Sequence, residues 1–188
     1  MPGDRRQPGT KPTWYRRLPP VLRRVAEASD RVTSLSFRPG AALVETVTAL
    51  AEALPAGNTV EVQVLAQRIA DGVCTGFGVP KVWVRVAERR PHDQRGELHG
   101  LYTPGIPPAR DTIKLWMYTA KLAKVVAPRT FLRTLLHELC HHLDYCHFKL
   151  ADSFHTEGFF QRESSLFYQL VPRDQGPEPT SSTDTTGQ

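Results

Sequence analysis

The stretch Thr134-Leu135-Leu136-His137-Glu138-Leu139-Cys140-His141 decides how this chain is read. Leu132, Leu135, Leu136, Leu139 and Leu143 recur at helical spacing. They predict a helix from about Pro128 to Tyr145, with the proline tolerated in its first turn. Residues four apart share a helix face, so the imidazoles of His137 and His141 can reach one metal ion. Glu138 stands beside them, where its carboxylate can act on a water rather than on the metal. The same five-residue pattern also arises by chance as a polar stripe on ordinary helices. The leucine setting and a further histidine downstream favour a metal site.

Working outward, the hydrophobic period before this helix is two. Val82, Val84 and Val86 alternate with Trp83 and Arg85, which predicts a strand over Lys81 to Ala87. A weaker strand is expected over Glu97 to Thr103. A third is expected over Thr112 to Thr119, with Ile113, Leu115 and Met117 facing one way and Lys114, Trp116 and Tyr118 the other. Further upstream the period is helical. Helices are expected over Val21 to Ala28, over Ala41 to Leu54, and over Val60 to Val73 with Thr59 as N-cap and Gly72 near the end. A closing helix is expected from Glu157 to Leu170, capped by Thr156. The order is helices, a sheet, the motif helix, a loop and a last helix. That is an α+β arrangement, with a small antiparallel or mixed sheet packed against the motif helix.

The chain has 188 residues, 40% hydrophobic and 23% charged, which suits one globular domain. No apolar run approaches the roughly 18 residues of a membrane span. Basic residues near the N-terminus have no apolar segment behind them, so a secretory signal is not expected. The three cysteines, Cys74, Cys140 and Cys146, are odd in number and widely spaced, which argues against a disulfide framework and for a cytoplasmic setting. A disordered basic arm is expected over 1–13 and a disordered tail over 172–188. Between them lies a single domain, 14–171, with a helical part over about 14–75 and a sheet and metal-site part over about 79–171. Arg5, Arg6, Lys11, Arg16, Arg17, Arg23 and Arg24 form either a solvated arm or a patch that attracts nucleic acid, within a net charge of +5.

A catalytic zinc takes three protein ligands and keeps a fourth position open. Two come from the motif; the third must lie elsewhere. His155 follows His141 by fourteen positions, enough for the chain to turn and return at the start of the closing helix, where Phe159-Phe160 could anchor it. His147, six positions after His141, has the metzincin spacing. The glycine of that pattern is here Asp144, however, and no methionine follows to make a Met-turn. Glu163, or Glu157, could supply a carboxylate from the closing helix. His155 is the preferred third ligand.

Leu136 to His141, the short excursion, and then His155-Thr-Glu-Gly-Phe159 resemble the SprT-like, WLM and YgjP-like small zincin metallopeptidases. In that group the third ligand is a histidine in a His-x-x-x-Phe setting. The segments Gly100-Leu101-Tyr102 and Ile113-Lys114-Leu115 are similar to the strands before the motif helix there. The resemblance covers about residues 80–170. It implies a zincin-like domain with Zn2+ on His137, His141 and His155, Glu138 as general base, and a protein or peptide substrate. It departs from the group's pattern in the doubled His142, the extra His147 and the N-terminal helices. SprT-like relatives also make a nucleic-acid-associated repair or regulatory protein a second reading, and a zinc protein without turnover a third.

Several residues are given roles by this reading. The oxyanion could be met by Tyr102, Tyr118, Tyr145, Tyr168 or Arg162. The strand over Thr112 to Thr119 is expected as the edge that pairs with an extended peptide. His142 is expected on an exposed face, Cys140 as a buried free thiol, Asp144 as a possible partner of an imidazole, and His92 and His99 on the surface. Cys146 beside His147 is a weak signal for a second metal site.

Overall fold

Patterned apolar residues set each element in place. The computed structural model describes residues 12–93, 96–120 and 124–171. In chain order the elements are α1 (Thr13–Arg17), α2 (Pro20–Asp30), α3 (Ala41–Ala53), α4 (Thr59–Phe77), β1 (Trp83–Arg89), β2 (His92–Asp93), β3 (Gly96–Glu97), β4 (Gly100–Thr103), β5 (Thr112–Tyr118), α5 (Pro128–Cys146) and α6 (Glu157–Leu170). This is an α+β architecture. The arm expected over 1–13, with Arg5, Arg6 and Lys11, lies outside the described residues up to position 11. The tail over 172–188 lies wholly outside them. No helix among the described residues is long and apolar enough to cross a membrane.

The main sheet is mixed and three-stranded, in the order β1-β5-β4. β1 runs parallel to β5, with Val84 opposite Ile113. β4 runs antiparallel to it, with Tyr102 opposite Ile113. The strand expected as the substrate edge, β5, is therefore the central one, and β4 is the edge beside α5. The cause is burial: Ile113, Leu115, Trp116 and Met117 are all buried. A strand paired on both sides, with one face in the core and Trp116 sheltered on the other, carries such a run, while Lys114 stays exposed. Trp116, on the face opposite Ile113, Leu115 and Met117, is also only 5% exposed.

The other edge is closed by side chains. Gln63 and Gln67, one helical turn apart on α4, act as a surrogate strand along β1. Gln63 donates to the Val84 carbonyl and accepts from Val86 N, both at 2.7 Å. Gln67 donates to the Val82 carbonyl at 3.0 Å and accepts from Val84 N at 2.9 Å.

Two helices differ from the sequence reading. The N-cap of α4 is Asn58, whose side chain accepts from Glu61 N at 3.2 Å, rather than Thr59. The helix also runs through Gly72 to Phe77 and ends at Gly78, which has a positive φ of 63°. Gly72 and Gly76 are packing positions: a Cβ there would meet Leu43 and Phe37. The short helix α1 was not anticipated. It brings Trp14 to stack on Phe154 at 5.9 Å, just before the His155 segment.

A continuous apolar core joins both parts of the chain: Leu50, Leu54, Ile69 and Val73 from the N-terminal helices, Ile113 and Leu115 from β5, Leu135, Leu136 and Leu139 from α5, and Phe159, Leu166 and Phe167 from α6. α6 starts with Thr156, whose hydroxyl accepts from Phe159 N at 3.1 Å. Gly158 fits against the end of α2. Its N–H donates to Asp30 Oδ1 at 2.9 Å, and a Cβ on it would lie 2.5 Å from the Asp30 carbonyl oxygen. Backbone cannot yield as a side chain can. Gly158→Ala is therefore expected to lower stability by about 1–3 kcal/mol, measured by urea unfolding. Gly40→Ala, where nothing lies within 4 Å of the added carbon, should cost far less.

Candidate metal centre

α5 presents His137 and His141 on one face, and the turn before α6 brings His155 across from them. His137 Nε2 lies 2.9 Å from His155 Nε2, and His141 Nε2 lies 3.1 Å from it. The three rings form one group with the spacing to hold a metal ion. Phe159, fully buried, is the floor under all three, with ring centroids 4.7–5.1 Å from theirs. Phe160, 48% exposed, stacks on His155 from the solvent side at 5.8 Å.

The outer nitrogens fix the tautomers. His137 Nδ1 donates to Glu163 Oε2 at 3.0 Å. Ser153 donates its hydroxyl to Asp144 Oδ2 at 2.6 Å, and so accepts from His141 Nδ1 at 2.7 Å. With both protons held on Nδ1, the Nε2 lone pairs of His137 and His141 converge on His155. Burial first, then the neighbouring His137 and His155, push His141 down to about 3, so its ring is a neutral donor across the ordinary pH range. Burial and His137 lower His155 as well. Nitrogens this close need a proton or a metal ion between them, and oriented imidazoles with carboxylate or hydroxyl partners are what a metal site requires. The residues fit a divalent ion.

Asp144 is itself fixed. Arg162 Nη2 donates to both of its oxygens at 2.7 Å and to Ser29 Oγ at 2.9 Å, while Nη1 donates to the Ser29 carbonyl at 3.0 Å. Both charged side chains are buried. Asp144, expected as a partner of an imidazole, thus acts on His141, with Ser153 as an intermediary that spacing did not reveal. Glu163, weighed as a ligand, sits behind His137 and is also contacted by Arg133 at 3.4 Å. Glu157 is exposed and accepts from Gln161. His147 packs on Phe77 at 5.3 Å, outside the histidine group.

Glu138 faces β4. Its Oε2 accepts the Tyr102 backbone N–H at 2.8 Å. Burial raises its pKa, and His137 and the Tyr102 N–H pull it partly back. Gly100 makes room: a Cβ there would come within 2.5 Å of Glu138 Oε1. A glycine inside a strand pattern is the sequence signal of such close approach.

A cleft of about 670 Å³ opens over these groups, between β4 and the turn before α6. Leu98, His99, Gly100, Leu101 and Tyr102 line one side; Arg133, Tyr145 and Ser153 are among the residues completing it. His99, expected as ordinary surface, is part of this wall. Among the five side chains considered for the oxyanion, Tyr102 and Tyr145 line the cleft. The Tyr102 hydroxyl donates to Asp111 Oδ2 at 2.6 Å, and that of Tyr145 to Asp152 at 3.3 Å. Arg162 is sealed against Asp144. Tyr118 and Tyr168 are not in the lining.

No family model, no curated protein and no solved structure matches the chain. The site is therefore read from its own geometry.

Two further residues depart from the sequence reading. His142 is 1% exposed rather than surface-facing. It does not orient Glu138; its ring contacts Asp111 and the Pro80 carbonyl, each at 2.8 Å. Cys146 approaches His142 and Asp111 rather than pairing with His147. Cys140 is a buried free thiol.

Removing one partner of a buried ion pair leaves the other uncompensated. Arg162→Met is expected to destabilise the fold by about 3–5 kcal/mol, read from chemical unfolding. Glu163→Gln keeps the fold but loosens the hold on His137. It should weaken zinc binding about 10–100-fold in competition with a chromophoric chelator.

Proposed function

We propose that the protein is a zinc-dependent metallopeptidase of the zincin type, related in design to the SprT-like, WLM and YgjP-like group. The observation that carries this reading is the convergence of His137, His141 and His155 through Nε2 while the carboxylate of Glu138 is held beside them by the edge of β4. His137, His141 and His155 would hold the ion. When bound, zinc supplies Lewis-acid chemistry: it lowers the pKa of a water toward about 7 and polarises a carbonyl.

The chain's own groups do the rest. Glu138 accepts a proton from the attacking water at its carboxylate and passes it to the leaving amine. Its raised pKa suits a group that must both take and give a proton. The Tyr102 N–H fixes Oε2, leaving Oε1 as the oxygen to exchange the proton. Glu163, and Asp144 through Ser153, keep both motif rings in the donor tautomer. The outer side of β4 borders the cleft, so an extended peptide is read as lying along β4. Leu98 and Leu101, both exposed, offer apolar contacts to its side chains.

The test is metal analysis joined to hydrolysis of an unfolded protein substrate. His155→Ala should lose bound zinc, whereas His147→Ala should keep it. Glu138→Gln should retain the ion and lower cleavage by at least about 10²-fold. Full activity in Glu138→Gln would overturn the reading, as would zinc retained undiminished in His155→Ala. Gly100→Ala should keep the ion and reduce kcat, because the added methyl displaces the Glu138 carboxylate.

A further inference from the structure

α5 carries a second pair of residues four apart, His142 and Cys146, turned away from the first histidine face. They meet Asp111, which lies at the entry to β5. His142 Nδ1 is 2.8 Å from Asp111 Oδ2 and 3.7 Å from Cys146 Sγ, and the sulfur is 3.9 Å from the same carboxylate oxygen. These three atoms form a group with the spacing of metal ligands. A triangle with those sides has its centre about 2 Å from each corner. That is close to the Zn–N and Zn–O distances, and a small rise out of the plane reaches the longer Zn–S one.

The surroundings match a metal site more closely than a nucleophile. His142 Nε2 donates to the Pro80 carbonyl at 2.8 Å, which puts the neutral ring's lone pair on Nδ1, facing the other two groups. This is the outer hydrogen bond that metal-bound histidines commonly make. A cysteine–histidine–aspartate catalytic arrangement would place Cys and Asp on opposite ring nitrogens. Here both face Nδ1. Asp111 is oriented by two donors, the Tyr102 hydroxyl at 2.6 Å and Gly105 N at 2.7 Å. The Tyr102 hydroxyl also lies 3.5 Å from His142 Nδ1, at the open side of the triangle.

We propose that Asp111, His142 and Cys146 form a second site for a thiophilic divalent cation of the zinc class, distinct from the three-histidine centre. A mixed nitrogen, oxygen and thiolate set favours such an ion over magnesium or calcium. The site ties the entry of β5 to α5 and the Pro80 segment, and through Tyr102 to the strand that holds Glu138. It requires no peptidase activity.

The experiment is cobalt(II) loading of the full chain, followed by near-ultraviolet spectroscopy and metal counting. A thiolate-to-cobalt charge-transfer band is expected in the wild type and in His155→Ala, because the histidine centre contains no sulfur. The band should vanish in Cys146→Ser and weaken in Asp111→Asn. Zinc content should fall from about two ions per chain to about one in Cys146→Ser and, separately, in His155→Ala. Absence of the band in the wild type overturns the proposal, as does its persistence in Cys146→Ser. Loss of zinc in His155→Ala with the band intact keeps the two sites separable. Circular dichroism of each variant identifies a lost band that reflects unfolding, and Asp111→Asn supplies the second reading in that case.

Discussion

A buried ion pair between Arg162 and Asp144 is the interaction on which the rest of the molecule depends. Neither charge reaches solvent, so each must be answered inside the protein, and the answers come from three elements. Arg162 belongs to α6, Asp144 to α5, and the two terminal nitrogens of the guanidinium also donate to Ser29 and Val32 at and just beyond the end of α2, while Nε is buried without a partner. Buried charges tolerate little displacement, because a shift of an ångström exposes one without a partner. The pair therefore fixes the angle at which α6 meets α5. With it comes the turn that carries Ser153 and His155. The N-terminal helices act at this joint. α2 supplies Ser29 and Asp30, and α1 supplies Trp14 against Phe154.

The centre is thus supported from three directions. From below, Phe159 and the leucine stripe of α5 hold the rings by packing. From behind, Glu163 and the Asp144–Ser153 pair set which nitrogen of each ring carries its proton. Opposite them, β4 supplies a backbone N–H to Glu138 and, at Gly100, the space for its carboxylate. Rigidity in the helices and an open cleft beside an edge strand coexist because the polar groups that could collapse inward are already bonded.

Much of this was legible in local pattern and the rest was not, for identifiable reasons. The motif helix could be read because its leucines repeat at one period and its ligands at a fixed offset. The strands at Trp83 and Thr112 showed in their alternation. β5 was misplaced as an edge because its alternation marks a strand but not its neighbours; β1 and β4 flank it on either side. Gly72 resembled a stop because a helix glycine made close by a partner residue, Leu43, looks the same in sequence as one that ends a helix. The third histidine and its rivals could not be separated by spacing alone, since the choice depends on how the ten-residue excursion 147–156 folds back. His142 seemed superfluous beside the motif because its partner, Asp111, lies on another element.

The glutamine pair on α4 gives the sheet a handed relation to its surroundings. By occupying the polar groups of β1, Gln63 and Gln67 end the ladder on that side with side chains instead of a further strand. Lateral growth of the sheet is thereby blocked at one margin, and β4 forms the opposite one. The same closure protects a three-stranded sheet from joining that margin to another copy of itself, a hazard that short sheets in crowded solutions otherwise meet.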